Sequence, residues 1–139
     1  MKKLLVVLAI ISLSGCATIQ QTTLYKAWNM AKFDNNEYSQ INSIRTVANL
    51  GAAKCGTPGV LPVVDSLYYK SVEFKNYSAS IPHNEETVKM GGELAEIIKG
   101  LNARYHDKEP VSVAYCTLKF GTIEKNAVTI QNVVGAKPR

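Results

Sequence analysis

The stretch Phe33-Asp34-Asn35-Asn36-Glu37-Tyr38-Ser39-Gln40-Ile41-Asn42-Ser43-Ile44 decides the fold class. Asp34 is a helix N-cap type whose carboxylate can accept a backbone N–H from the first turn. Glu37 follows three residues later, which gives the spacing of a capping box. Phe33 and Tyr38 occupy the two positions of a hydrophobic staple around that cap. Two start signals at one boundary mark a helix. Tyr38, Ile41, Ile44, Ala48 and Ala52 then recur at steps of three and four, so the apolar face predicts a helix to about Lys54. Cys55-Gly56-Thr57-Pro58-Gly59 ends it, because glycine and proline continue a helix poorly.

Working outward towards the C-terminus, the same periodicity returns three times. A second helix is predicted from Pro62, with Val64, Leu67, Tyr68, Ser71, Phe74 and Ser78 on one face. The β-propensity of Val63-Val64 and Tyr68-Tyr69 argues for strand, but the strict alternation a strand needs is missing. Ile81-Pro82-His83 interrupts the pattern. Asn84 reads as the cap of a third helix, with Glu85 and Glu86 in the first turn where the helix dipole favours anions. Its stripe is Val88, Gly91, Leu94, Ala95, Ile98, Leu101 and Tyr105. After His106-Asp107-Lys108-Glu109-Pro110, a fourth helix carries Cys116, Phe120, Ile123, Ala127, Ile130 and Val134 on one face. Four amphipathic segments joined by short links give an all-α chain, a four-helix up-down-up-down bundle. The basic tail Lys137-Pro138-Arg139 is expected to fray.

Towards the N-terminus the character changes. Lys2 and Lys3 precede the apolar run Leu4 to Ile11, which is too short to span a bilayer as a helix and suits a signal peptide. Leu13-Ser14-Gly15-Cys16 follows, and it resembles the lipobox of bacterial lipoproteins. That resemblance covers residues 1–16 alone. It implies removal of 1–15 and lipidation of Cys16, with palmitate among the acyl chains. Several acyl chains make a stable membrane anchor where a single one is marginal. Ala17, in place of the aspartate that retains such proteins in the inner membrane, implies an outer-membrane lipoprotein facing the periplasm, or the cell surface in a Gram-positive cell. Residues 16–33 then form a lipidated arm. Leu24, Trp28 and Ala31 share a helical face there, suited to the headgroup layer, although packing of Trp28 and Phe33 on the folded domain is the simpler reading. The organisation is thus a signal peptide over 1–15, an arm over 16–33, a helical bundle over 34–135 and a tail over 136–139.

These boundaries alter what composition says. The full chain has 139 residues, a net charge of +5 and three cysteines. Once fifteen residues leave, 124 remain, and the charge falls to +3 with Lys2 and Lys3 gone. No Lys/Arg run exceeds a pair, so nucleic acid is not an expected partner. With Cys16 lipidated, Cys55 and Cys116 remain. An up-down-up-down bundle puts both at one end, and an oxidising compartment favours a disulfide between them. In the chain-entropy description such a bond is worth about 4 kcal/mol. Neither a Cys-x-x-Cys spacing nor an adjacent basic cluster supports a redox role.

Chemistry is sparse. His83 and His106 fall in loops at opposite ends, and no Glu-x-x-His pair exists, so no metal site is expected. Glu93 and Glu96 lie beside Lys89 and Lys99, the pattern of a solvated helix face. No Gly-rich phosphate loop is present. The expectation is a non-enzyme with no cofactor beyond the lipid on Cys16. Candidate partner-binding residues are Tyr69 and Tyr77, off the core face of the second helix, and Met90, Gly91 and Gly92, where mid-helix glycines mark either close helix packing or a groove. A membrane-tethered bundle of this kind fits a protein-binding accessory or assembly factor, pilot- or chaperone-like, with an envelope protein as partner. It also fits a superinfection-exclusion or immunity lipoprotein of phage or plasmid type that blocks a receptor or toxin.

Overall fold

The computed structural model describes residues 30–139; the predicted signal peptide, the expected lipidation site Cys16 and the expected amphipathic turn at Leu24 and Trp28 lie outside them. Four helices follow in order: α1 (Asn35–Ala52), α2 (Val60–Ser80), α3 (Glu85–Tyr105) and α4 (Val113–Gly135). Among the described residues there is no strand. Each helix packs on its two neighbours, α1 on α2 and α4, α3 on α2 and α4, and no Cα atoms of the diagonal pairs come within 8 Å of each other. This is the up-down-up-down bundle that the short connections require.

The helix starts show which local signals act. At α1 the Asp34 carboxylate accepts the Glu37 N–H at 2.8 Å, and the Phe33 and Tyr38 rings meet with centroids 5.8 Å apart. The cap and the staple are therefore both present. The Glu37 side chain does not complete the capping box, because it turns inward. At α4, Ser112 accepts the Tyr115 N–H at 3.2 Å. Helix α2 begins two residues ahead of Pro62, which sits in the first turn, where its missing N–H has no intrahelical acceptor to lose. Asn84 holds the cap position of α3, but its side chain makes no capping hydrogen bond. Helix α1 stops at Ala52, short of the expected Lys54, and Gly56 turns the chain with φ +80°, a conformation a side chain would oppose.

The core is a column of Ile41, Ile44, Ala48, Val64, Leu67, Phe74, Leu94, Ile98, Leu101, Phe120, Ile123, Ala127, Ile130 and Val134, all buried. The α4 face contains every predicted residue, and Gln131 is buried beside them. In α1 the buried line is Glu37, Ile41, Ile44, Ala48 and Gly51, so Tyr38 and Ala52 flank it, half-buried. In α3 Thr87 takes the buried place expected for Val88. Cys55 and Cys116 are bonded, with Cα atoms 5.8 Å apart and 61 residues between them in sequence. They tie the end of α1 to the start of α4. No helix among the described residues is long and apolar enough to cross a membrane.

Candidate functional site

The five candidate contact residues have different surroundings. Tyr77 is half-buried, and its hydroxyl donates to the Asp34 carboxylate, 3.1 and 3.2 Å from its two oxygens. It thereby joins α2 to the cap of α1. Gly91 is buried under Phe74, whose ring would stand 2.9 Å from an added Cβ. Met90 is half-buried against the core. Gly92 has open space where a Cβ would go. Of the two meanings of the glycine pair, close packing applies to Gly91 and unfilled space to Gly92. Helix α3 runs unbroken through both. The bundle therefore does not bring all five onto one exposed surface.

Exposed large apolar side chains stand on α1 (Leu50), α4 (Val113 and Leu118) and α2, and α2 carries three of them. Tyr69 is 71% exposed, and Leu61 and Val72 are exposed large apolar side chains on the same helix. Spacings of eight and three residues place all three on one outward face. The Tyr69 ring meets the half-buried Tyr68 ring edge-on at 5.6 Å, which limits its rotamers. Such a face offers contact area that includes an exposed tyrosine, the residue type enriched where proteins meet. It offers no nucleophile or base.

The opposite result is found inside the bundle, at the end where α1 and α3 begin. Glu37 is completely buried, and its carboxylate lies 2.5 Å from Lys137 Nζ. The same ammonium lies 2.6 Å from Asn84 Oδ1. Asn84 Nδ2 in turn donates to Glu37 Oε1 at 2.6 Å and to the Ser78 carbonyl at 2.9 Å. This corrects two readings of the sequence. Asn84 does not cap α3 because its amide is used in this cluster, and the tail does not fray because the Lys137 side chain is only 5% exposed. Removing one member of such a pair strands a buried charge, which costs about 3–5 kcal/mol. The signal for it was phase: Glu37 falls on the stripe of Ile41, Ile44 and Ala48, and a charge there needs a partner.

Other polar groups make local links. His106 Nε2 lies 2.8 Å from Asp65 Oδ1, which also accepts from Asn102 Nδ2 at 2.8 Å. Arg45 and Asn42 of α1 both bond to Gln131 of α4, at 3.0 and 3.1 Å. The Tyr105 phenol is pushed above its ordinary pKa by burial. Among the described residues, no three His, Cys, Asp or Glu side chains stand close enough to hold a metal ion. The chain matches no protein-family model, no curated protein and no solved structure.

Proposed function

We propose that the chain is an envelope lipoprotein, anchored through lipid on Cys16, whose bundle binds another envelope protein as an accessory or assembly factor of pilot or chaperone type. The observation that carries the binding role is the outward face of α2, where Leu61, Tyr69 and Val72 are exposed together on a disulfide-tied scaffold. The sequence Leu13-Ser14-Gly15-Cys16 supports the anchor, and Ala17 supports an outer-membrane address facing the periplasm. In this reading the protein has no catalytic residues, and its one non-protein group is the covalent lipid.

Two experiments separate the parts of the proposal. Cys16→Ser leaves the helical domain folded and moves it from the membrane to the soluble fraction; a variant that still sediments with membranes rules out the anchor. Crosslinking in native envelopes followed by purification recovers one stoichiometric protein, and the double variant Tyr69→Ala, Val72→Ser loses it. Equal recovery with the double variant moves the binding face off α2, and recovery of no partner at all rejects the accessory role.

A further inference from the structure

Lys137 comes from beyond the last helix, yet its ammonium occupies a place prepared by the other three. Glu37 belongs to α1, and Asn84 leads into α3 while its amide is anchored by the Ser78 carbonyl of α2. The two acceptor groups thus orient each other without help from the tail. Two more buried hydroxyls stand at this end, Ser78 Oγ and Thr87 Oγ1, and neither has a hydrogen-bond partner among the described residues. We propose that Glu37 and Asn84 form an internal receptor for a primary ammonium group, and that residues 136–139 are a latch that fills it with Lys137 and so holds the segment preceding α1.

The mechanical link is explicit. Pro138 accepts the Phe33 N–H at 2.8 Å, and the Arg139 guanidinium lies 4.9 Å from the Phe33 ring centroid. Phe33 is the staple residue beside the cap of α1. Two residues earlier, Ala31 donates to the carbonyl of His83 at 3.0 Å. His83 has a φ of +59°, in the left-handed region. A lysine seated in the receptor therefore fixes Pro138, and Pro138 fixes Phe33. With the receptor empty, the tail keeps only contacts that face water.

The receptor chemistry selects its occupant. Both acceptors are oxygens at 2.5 and 2.6 Å from one compact nitrogen. A primary ammonium presents three N–H groups to such a pair. A guanidinium is a wide planar fork that does not fit around a single point, and a quaternary ammonium has no N–H. Hydrogen bonds from an ammonium to a carboxylate are charge-assisted, the strong kind.

The Phe33 amide is a direct reporter, because its acceptor belongs to the latch. In the full chain, Lys137→Ala speeds hydrogen exchange at Phe33 by about tenfold or more, the loss of one strong hydrogen bond. The core amides of Ile44 and Ala48 keep their protection, because a latch that leaves with its lysine opens Glu37 to water and no charge stays buried without a partner. Added propylammonium, the part of the side chain that alanine lacks, raises the thermal midpoint of the alanine variant by pairing with Glu37, while Phe33 stays fast because a free amine is not tethered to Pro138. Tetramethylammonium and sodium at equal concentration do not raise the midpoint. If propylammonium performs no better than sodium, there is no receptor. If Ile44 and Ala48 lose protection as much as Phe33, Lys137 supports the whole fold and is not a latch. Should the alanine variant fail to fold, Glu37→Gln preserves the shape of the site; there Phe33 exchange quickens and added amine leaves the thermal midpoint unchanged. A Phe33 amide as protected as in the parent chain overturns the proposal.

Discussion

Gly51 and Gly100 are both helical glycines, and their surroundings give them opposite roles. The Phe120 ring lies directly where a Gly51 Cβ would project, with its Cζ only 2.8 Å away, whereas Gly100 has nothing within 4 Å. Gly51→Ala is expected to destabilise by about 1–3 kcal/mol through overpacking. Gly100→Ala is expected to stabilise by about 0.5–1 kcal/mol, the ordinary helix-propensity gain. Urea unfolding of the two variants checks both signs. Tyr105 supplies a second test. Its pKa is raised in the folded chain by burial, so the neutral phenol is the form the fold prefers. Its contribution to stability is full below the unfolded value near 10 and is lost as pH rises above that. Tyr105→Phe is expected to flatten this alkaline loss in urea titrations. None of these environments is legible in sequence, because a glycine and a tyrosine look alike whatever stands opposite them.

At the scale of elements, helix starts were more readable than helix faces. The Asp34 cap and the Phe33–Tyr38 staple depend on residues within five positions of one another, so local sequence determines them. Asp34→Ala is expected to cost about 0.5–2 kcal/mol from the cap alone. It also leaves the half-buried Tyr77 hydroxyl without its acceptor, so the loss should lie at the upper end of that range in thermal melts. Tyr77→Phe in the same background should then recover part of it. Faces shift more easily, since a rotation of one residue exchanges Tyr38 for Glu37 or Val88 for Thr87. Apolar periodicity found every buried position of α4 except Gln131, the one that is neither apolar nor a cysteine. It misplaced the edges of α1 and α3, where the buried residue is polar: Glu37 is neutralised by Lys137 from beyond the last helix, and Thr87 Oγ1 has no hydrogen-bond partner among the described residues.

Across the whole molecule, the two ends of the bundle are closed by different means. The far end has the Cys55–Cys116 bond, and the end where the chain joins α1 has Glu37, Asn84 and Lys137. Replacing both cysteines by alanine is expected to cost about 2–4 kcal/mol, with hydrogen exchange rising first around Ala52 and Cys116 while Phe33 stays protected. Uniform loss of protection would mean that the two ends act as one cooperative unit. The sequence by itself determined four helices, their alternating direction and the pairing of the two cysteines, because cap residues, apolar spacing and short links act locally or by topology. Only the tertiary structure decided that a lysine after the last helix is buried, that Asn84 serves that lysine instead of its own helix, and that Gly91 is covered while Gly92 is open. Those outcomes depend on side chains up to 100 residues apart in sequence, and no local pattern records which distant group will neutralise a buried charge.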